Sequence, residues 1–374
     1  MDAPSATLAT VPSTVVVQPT SLCNIACTYC YLPHKSERRL LGDDVLAAVV
    51  DAVRRWADQG RTVGILWHSG EPLTVGPARF RELLGAPWPP GTVHRIQTNA
   101  TLVDQAWCDL FEQLGPEIGV SVDGPARMNR HRVTRAGRPA HGRIEAGIGA
   151  LRGRGIPFDL LSVAHDPAPQ EAAELYRYAR DLGARSLGVL PVETIGVFAS
   201  GSTAAREQWA RYFEALFLAW RADPAVDLRE LNQVAGYVAQ VGRGPGPAGE
   251  RVRELLARPV DPFPTVQYDG EVTVISPDLS GFDHPELGPF SVGNVRRTPL
   301  DRLLARAPRV PWVRQTLEGV AACRAGCEYA AGCGGAWPSN KWFENHDLRS
   351  TTTNFCQALH QAPFEGALYA SARL

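Results

Sequence analysis

The sequence predicts an α/β fold, a partial (βα)6 barrel of the TIM type followed by a small C-terminal cysteine-rich domain. Three observations predict it. Short apolar runs alternate with amphipathic helical patterns from residue 14 to about residue 191, as in repeated βα units. Residue types that carry chemistry follow these apolar runs. Seven of the eight cysteines fall into two groups, one after the first run and one near the C-terminus.

Six apolar runs are predicted as the strands of the barrel. They are TVVVQ from residue 14, VGILW from 63, VHRIQT from 93, EIGVSV from 117, FDLLSVA from 158 and SLGVLP from 186. The stretches between them have helical periodicity, and the first, DDVLAAVVDAVRRWADQ, has Asp43 or Asp44 as its predicted N-cap. Six βα units close only part of a barrel, and ligands of such folds bind at the carboxyl ends of the strands.

The candidate functional residues follow these strands and are therefore predicted to share one rim of the barrel. They are Cys23, Cys27 and Cys30 after the first strand; Ser69, Gly70, Glu71 and Pro72 after the second; Gln97, Thr98 and Asn99 at the end of the third; Ser121 and Asp123 at the end of the fourth; His165 after the fifth; and Glu193 after the sixth.

Length and composition restrict the class of protein. A chain of 374 residues with 44% hydrophobic residues is long enough for two domains. A net charge of -1 with interspersed signs gives no field for a phosphate backbone, so no nucleic-acid partner is expected. No apolar run approaches the ~20 residues of a membrane span, and the N-terminus has no signal-peptide pattern. We therefore expect a cytoplasmic protein with no membrane partner.

Four segments are predicted along the chain. They are an N-terminal tail at 1–13, the barrel at 14–222, a helical linker at 223–260, which includes the flexible RGPGPAG connection, and the cysteine-rich domain at 261–374. The last segment begins with TVQYDGEVTVI, which is predicted as a hairpin that turns at Asp269 and Gly270.

The first cysteine group, C-x3-C-x2-C, consists of Cys23, Cys27 and Cys30. Three thiolates can hold three irons of a [4Fe-4S] cubane and leave the fourth open, whereas a structural zinc site closes four ligands. The motif, with Tyr29 before the third cysteine, resembles that of the radical S-adenosylmethionine (SAM) superfamily. The resemblance implies that the open iron binds SAM and that an external one-electron donor of the flavodoxin or ferredoxin type reduces the cluster. SAM is then cleaved to a 5'-deoxyadenosyl radical.

The other rim motifs agree with that resemblance. The segment Ser69-Gly70-Glu71-Pro72 resembles the family's GGEP motif, whose carbonyls and glutamate accept hydrogen bonds from the ammonium of SAM. Ser121 and Asp123 resemble residues that contact the ribose, and QTN at residues 97–99 resembles a segment that lines the same pocket. For each of these polar residues, a buried strand-end cap is the structural alternative.

The second cysteine group consists of Cys323, Cys327, Cys333 and Cys356. Four thiolates close a site, and either zinc or an iron-sulfur cluster would satisfy them. The stretch CRAGCEYAAGCGGAWPSN, after FSVGNV, is similar to the SPASM extension of radical SAM peptide-modifying enzymes. Full SPASM domains carry two auxiliary clusters on seven cysteines, but here two cysteines are missing and Trp337 replaces a third. The resemblance therefore implies one auxiliary [4Fe-4S] cluster.

Two further candidate residues, Asp278 and Cys108, lie outside these groups. Asp278 is predicted as a surface turn residue, with an oxygen ligand of a residual second auxiliary site as the alternative. Cys108 is predicted as a buried or half-buried thiol of a helix.

The segments VVVQPTSLCNIACTYCYLPHK, LWHSGEPL and QTNATL are similar to cyclophane-forming peptide maturases, especially the subgroup that acts on glycine-rich-repeat precursors. This resemblance implies that the substrate is a ribosomally synthesised precursor peptide. In it, an aromatic ring carbon is joined to the Cβ of a residue two positions along. Restoring aromaticity requires a base, for which His165, Glu193 and His131 are the candidates; each has a structural or solvated role as its alternative.

Three other functions stay open at this stage. The chain could be another SPASM-type maturase, which forms thioether bridges or oxidises a sulfatase Cys or Ser to formylglycine. A zinc-stabilised binding protein without catalysis is the alternative of a different class.

Overall fold

The structure, a computed structural model of the chain, describes residues 6–243, 247–335 and 337–373. Within these ranges the main sheet has ten strands, and a separate two-stranded ladder lies in the C-terminal part. The strands are β1 Thr14–Val17, β2 Gly64–Trp67, β3 His94–Thr98, β4 Glu117–Ser121, β5 Phe158–Ala164, β6 Ser186–Pro191, β7 Asp227–Leu228, β8 Thr265–Val266, β9 Glu271–Thr273, β10 Asp283–His284, β11 Gly288–Pro289 and β12 Gly293–Asn294.

The six predicted barrel strands are confirmed. Strands β1 to β6 lie side by side in sequence order, and every neighbouring pair is parallel. Their carboxyl ends therefore meet at one rim, which is where the sequence placed the candidate residues. The apolar run Val15 to Val17 is fully buried, as expected of a strand that is covered on both faces.

Helices alternate with these strands and then form most of the C-terminal part. They are α1 Asp43–Asp58, α2 Pro77–Leu84, α3 Gln105–Leu114, α4 His141–Gly153, α5 Pro169–Asp181, α6 Arg206–Ala222, α7 Arg229–Arg243, α8 Ala248–Ala257, α9 Leu300–Arg306, α10 Pro311–Gly326, α11 Ala330–Cys333, α12 Pro338–Asn345 and α13 Ala362–Ser371. None of the helices in the described ranges is long and apolar enough to cross a bilayer.

The predicted N-cap of α1 is wrong. The cap is Gly42, which has extended backbone angles and no capping side chain. Asp43 and Asp44 lie in the first turn instead, where negative charge interacts favourably with the helix dipole. Their carboxylates pair with Arg79 and Arg296.

The main sheet has further strands beyond both β6 and β1. Strand β7, inside the segment predicted as helical, pairs in parallel with β6. At the other edge, β8 pairs in parallel with β1, and β9 pairs antiparallel with β8. The hairpin is thus confirmed, and its Gly270 has a positive φ of 89°. Residues 244–246 of the predicted glycine-rich connection lie outside the described residues.

The C-terminal part packs over the carboxyl rim of the barrel. Helix α13 packs along α6, where a Cβ on Gly366 would lie 2.8 Å from the Ala210 carbonyl oxygen. Helix α12 reaches the rim itself, because Asn340 Nδ2 donates a 2.7 Å hydrogen bond to Glu193. This packing brings residues of both halves of the chain into one site.

Candidate active site

The first cysteine group lies on the loop that follows β1. Cys23, Cys27 and Cys30 are all half-buried, and none is in a disulfide. Backbone contacts fix the loop: Cys23 N–H donates to the Lys35 carbonyl at 2.9 Å, and Arg135 donates two N–H groups to the Cys23 carbonyl at 2.7 and 3.0 Å. The loop therefore has a defined shape that presents three sulfurs.

The three thiols lie close enough to affect one another's ionisation. Burial raises the pKa of Cys23 to about 12, and the Glu71 carboxylate, Cys27 and Cys30 add to the shift. Burial also raises the pKa of Cys27 to about 11. A bound cation deprotonates coordinating thiols outright. Three half-buried thiols that lie close together without a disulfide fit a metal cluster that holds them as thiolates.

A single metal ion fits this arrangement less well. Among the described residues, no group of three or more His, Cys, Asp or Glu side chains is placed to hold one ion. A cubane distributes its thiolates over separate irons, so this finding concerns zinc-type sites and not clusters.

The segment after β2 packs directly on the cysteine loop. Ser69 and Gly70 have positive φ values of 70° and 79°. A Cβ on Gly70 would lie 2.8 Å from the carbonyl oxygens of both Thr20 and Leu22, which only glycine avoids. Pro72 is buried at the start of a short 3₁₀ helix. Gly70 therefore allows the backbone of this segment to approach the cysteine loop closely.

Glu71 connects the segment after β2 to the end of β3. Its buried carboxylate accepts hydrogen bonds from Thr98 Oγ1 at 2.6 Å, Asn99 N at 2.7 Å and Leu73 N at 3.1 Å. Burial raises its pKa to about 7, and these three donors oppose the shift. Asn99 Nδ2 also approaches Cys23 Sγ at 3.9 Å. A carboxylate has about four lone-pair sites, so a further donor can be accepted, and the hydrogen bond from the SAM ammonium stays a prediction.

Asp123 lies at the centre of a buried charged network behind the cysteine loop. Its carboxylate accepts from Tyr29 OH at 2.7 Å, Arg132 Nη2 at 2.8 Å and Val163 N at 3.0 Å. The side chains of Asp123 and Arg132 are 0% and 8% exposed. These contacts give Asp123 and Tyr29 a structural role, and the predicted contact of Asp123 with a ribose stays a prediction.

Gln97 and Ser121 form a hydrogen-bonded pair across neighbouring strands. Gln97 Nε2 donates to Ser121 Oγ at 2.8 Å. Gly119 leaves the space for this side chain, because a Cβ there would lie 2.3 Å from Gln97 Oε1. Both polar groups are half-buried on the same face of the sheet at the rim. Their predicted role in lining a ligand pocket stays a prediction.

Two of the three predicted bases lie together. The rings of His131 and His165 stack with centroids 4.0 Å apart, and the ring of Tyr29 lies 4.9 Å from that of His165. Burial lowers the pKa of His165 to about 4, and the charge of His131 contributes. Burial also lowers the pKa of His131, whose Nδ1 lies 3.1 Å from Thr28 Oγ1. Both imidazoles are therefore weak bases.

The third predicted base, Glu193, lies in a different cluster. Its carboxylate accepts a hydrogen bond from Asn340, and burial together with repulsion by Asp278 raises its pKa. Burial also raises the pKa of Asp278, while hydrogen bonds from Ser276 and the Tyr31 hydroxyl act in the opposite direction. Two carboxyl groups that repel each other in a buried place retain a proton near neutral pH and are suited to proton transfer.

The prediction that Asp278 is a surface turn residue is wrong. Asp278 does lie in a 3₁₀ turn, at residues 277–279, but it is half-buried and its carboxyl group lies close to Glu193 at the barrel rim. The turn signal in the sequence was correct, yet a local signal does not report which surface the rest of the chain covers. Tyr31 and Asn340 were also missed, although Tyr31 directly follows Cys30.

The second cysteine group is assembled from three helices. Its members are Cys323 in α10, Cys327 directly after α10, Cys333 at the end of α11 and Cys356 at the start of a π-helix. Burial raises the pKa of Cys356, and Cys323 and Cys327 contribute to the shift, so these three thiols are close to one another. Backbone N–H groups of Gly335 and Thr353 donate to Cys333 Sγ and Cys356 Sγ at 3.4 and 3.2 Å. Such donors are typical around cluster sulfurs.

Two other features of the C-terminal part agree with the sequence. Trp337, in the place of an expected ligand, packs edge-on against Phe263 with ring centroids 6.1 Å apart. Cys108 is fully buried in α3, as predicted. An aromatic side chain thus lies where the resemblance would place a cysteine ligand of the second auxiliary cluster.

Among the residues that the structure describes, several buried polar atoms at the rim have no hydrogen-bond partner. Buried polar groups in native proteins are nearly all hydrogen-bonded, so a cluster of exceptions indicates a missing ligand. The unpartnered atoms that follow barrel strands or reach the rim are Gln18 Oε1, His68 Nδ1, His165 Nε2 and Asn340 Oδ1. A polar ligand such as SAM or a peptide fits these residues.

Residues 17–179 match the family model of the radical SAM superfamily. The match covers less than half of the chain and shows a likeness of this segment to that superfamily. The matched segment runs from the end of β1 into α5 and contains the first cysteine group and the motifs after β2 and β3. A likeness to that superfamily implies a [4Fe-4S] cluster and SAM as cofactors, and the three thiols and the unpartnered polar atoms agree with this implication.

Two curated relatives extend the comparison. An uncharacterized protein of Synechocystis sp. is 28% identical over 92% of this chain and 88% of its own length. The serine-type anaerobic sulfatase-maturating enzyme of Klebsiella aerogenes is 32% identical over 56% of this chain. That alignment spans 55% of the length of the Klebsiella enzyme.

Two solved structures share the fold over most of the chain. Native anSMEcpe with bound AdoMet and the Cp18Cys peptide has a TM-score of 0.72 and 18% identity, covering 96% of this chain and 97% of that one. Streptococcus suis SuiB bound to S-adenosylmethionine has a TM-score of 0.64 and 15% identity, covering 94% and 78%. At these identities the likeness shows the fold, which is thus a radical SAM fold with a cysteine-rich C-terminal region.

Proposed function

We propose that this protein is a radical SAM peptide maturase that joins an aromatic ring carbon to the Cβ of a nearby residue in a ribosomally made precursor peptide. The motif resemblance around both the cysteine loop and the segment after β2 supports the cyclophane product. The relatives and neighbours named above support the broader class, an enzyme that modifies a peptide or protein.

One structural observation carries the proposal. A continuous series of contacts runs from the first cysteine group to the second and passes through two carboxyl groups. Tyr31, next to Cys30, lies close to Asp278, and Asp278 lies close to Glu193. Glu193 accepts from Asn340, and the next residue of α12 donates to Cys323 Sγ at 3.5 Å.

The proposed crosslink needs such an arrangement because it removes two hydrogens in different forms. One Cβ hydrogen leaves as an atom, and a carbon-carbon bond forms between Cβ and the ring. The ring then loses one proton and one electron to regain aromaticity. The site therefore needs three groups near the peptide: a source of the radical, a proton acceptor within reach of the ring, and an acceptor for the electron.

The residues on this route have separate tasks. Cys23, Cys27 and Cys30 would hold the SAM-binding cluster, and the second cysteine group would hold one auxiliary cluster. When bound, these groups would supply a hydrogen-abstracting adenosyl radical and an acceptor for one electron. Glu193 would take the ring proton, because repulsion by Asp278 raises its proton affinity and Asn340 fixes one carboxylate oxygen.

Formylglycine formation is the second candidate, and the 32% identity to the Klebsiella sulfatase-maturating enzyme favours it. Oxidation of a serine to formylglycine likewise removes one Cβ hydrogen atom, one hydroxyl proton and one electron, which the same electron acceptor would take. The same carboxyl pair would then take the hydroxyl proton. The two candidates therefore differ in which substrate atoms lose hydrogen.

Isotope labelling separates them. The anaerobically reconstituted protein is given SAM, a reductant and a peptide of repeated aromatic-x-x units whose aromatic rings are deuterated. A cyclophane product loses one ring deuterium, and fragmentation locates the new bond between ring and Cβ. A sulfatase peptide with a reactive serine is the parallel substrate. Oxidation of the serine peptide with no change in the aromatic peptide would contradict the crosslinking proposal and favour formylglycine formation.

A further inference from the structure

Lys341 is a buried ammonium without a carboxylate partner. It lies in α12 with 1% of its surface exposed. Within the described part of the chain its side chain forms no ion pair and one hydrogen bond, from Nζ to Cys323 Sγ at 3.5 Å. Nζ also lies close to α10, since a Cβ on Gly319 would be 3.1 Å from it.

A cation in this place requires a negative group nearby. An uncompensated charge in a protein interior is strongly unfavourable, and lysine is almost never fully buried unless paired. A neutral Cys323 thiol would not compensate it, whereas thiolates that ligate an anionic cluster would.

Lysine is rare in this chain, so its presence at position 341 is informative. The chain has two lysines, Lys35 and Lys341, among 38 basic residues. Arginine is therefore the ordinary cation of this protein, yet the buried position beside the second cysteine group holds a lysine. An ammonium is a compact charge that can donate to a single sulfur, while a guanidinium presents five donors in a wide fork.

We infer that Lys341 is a positioning residue that donates an N–H···S hydrogen bond to the Cys323 thiolate and thereby raises the reduction potential of an auxiliary cluster on the second cysteine group. The inference rests on the proposed function, which assigns that cluster. Reduction adds negative charge to the cluster, and a neighbouring ammonium with a hydrogen bond to a ligand sulfur stabilises the reduced form. An easily reduced centre suits an acceptor of the substrate electron.

The test measures the potential of the auxiliary centre by itself. A variant with Cys23, Cys27 and Cys30 all replaced by Ala is reconstituted anaerobically and titrated electrochemically while its reduced centre is followed by EPR. The same titration is done after adding Lys341→Met or Lys341→Arg. With Lys341→Met we expect the equilibrium constant for reduction of the auxiliary centre to fall at least tenfold. This corresponds to a reduction potential lower by about 59 mV for one electron. Lys341→Arg should retain most of the potential because it keeps the charge.

Lys35→Met in the same background is the matched control, because Lys35 donates to the Cys27 carbonyl in the other cysteine loop. It should not move the potential. If Lys341→Met does not retain iron, Lys341→Gln, which keeps an N–H donor without charge, is titrated and should show a smaller downward shift.

The outcomes separate the inference from the proposed function. If the triple cysteine variant retained no iron, the auxiliary cluster of the proposed function would be contradicted. The inference about Lys341 would then fail as well. About four irons per chain with the same potential in Lys341→Met and in its parent would overturn the inference alone.

Discussion

Asn340 and Lys341 are adjacent in α12, yet their side chains reach two different sites. Asn340 Nδ2 donates to Glu193 at 2.7 Å, and Lys341 Nζ donates to Cys323 Sγ at 3.5 Å. Both residues are 1% exposed. One turn of helix thus holds a carboxylate at the barrel rim and a sulfur of the second cysteine group, and substitutions there can separate proton transfer from electron transfer.

Replacing Glu193 by Gln should uncouple SAM cleavage from product formation. The amide cannot take a proton, while all the groups around the first cysteine loop stay in place. Loss of a general base typically lowers the rate by about 10²–10⁴. The measurement is the ratio of peptide product to 5'-deoxyadenosine. Glu82→Gln is the control, since Glu82 is 65% exposed on α2. Full product formation by Glu193→Gln would show that another group accepts the proton. Asp278 would then be the next candidate.

Replacing Asp278 by Asn should move the pH dependence of product formation to lower pH. Glu193 accepts a proton only when ionised, so product formation should rise with pH through the pKa of Glu193. Burial and the charge of Asp278 both raise that pKa. Removing the charge lowers it, and the rising limb shifts to lower pH. Rates of product and of 5'-deoxyadenosine are measured in the same samples across pH. A limb that stays in place or moves to higher pH would rule out repulsion between the two carboxyl groups.

Gly70→Ala should disturb the first cysteine loop far more than Gly76→Ala. Both glycines have positive φ, 79° and 86°, and such sparsely populated backbone conformations cost an alanine about 1–3 kcal/mol. A Cβ on Gly76 meets nothing within 4 Å, whereas one on Gly70 collides with the carbonyls of Thr20 and Leu22. The collision should add about 1–3 kcal/mol and lower the iron content of the first site. Iron analysis and thermal unfolding check this, and equal behaviour of the two variants would refute the packing argument.

The triple replacement of Cys23, Cys27 and Cys30 by Ala should abolish SAM cleavage and leave roughly half of the iron, because two clusters of equal size are expected. Cys108→Ala is the matched control, since this thiol is buried in α3 and belongs to neither group. It should keep all of the iron. Retained 5'-deoxyadenosine production in the triple variant would contradict the assignment of the first cysteine group.

Arg132→Met should strongly destabilise the protein. The substitution leaves Asp123 as an uncompensated charge with a fully buried side chain, a change that costs about 3–5 kcal/mol. Arg130→Met is the control because Arg130 is exposed and donates only to the Arg127 carbonyl; it should change the unfolding free energy by less than about 0.5 kcal/mol. Denaturant unfolding of both variants gives the comparison, and similar values would show that the network around Asp123 contributes little.

Much of the barrel and of the first cysteine group could be predicted from the sequence. Each strand is a local apolar run, and the parallel order of the strands then places residues such as Cys30, Glu71 and Glu193 on one rim. Local patterns could not show that Asp123 is enclosed by Tyr29 and Arg132, because that depends on side chains from a distant loop. They also placed Asp278 at a surface turn, since a turn has the same signature whether it faces water or another domain.

The sequence by itself determined the strand order, the two cysteine groups and the residues available at the rim, because these follow from short-range periodicity and spacing. Only the tertiary structure decided that β8 extends the sheet beside β1 and that α12 lies over the barrel mouth. That packing brings Asp278 and Asn340 to Glu193 and places Lys341 against Cys323. Burial and charge pairing depend on distances in space between residues far apart in the chain, and these distances are fixed when the C-terminal part closes over the barrel.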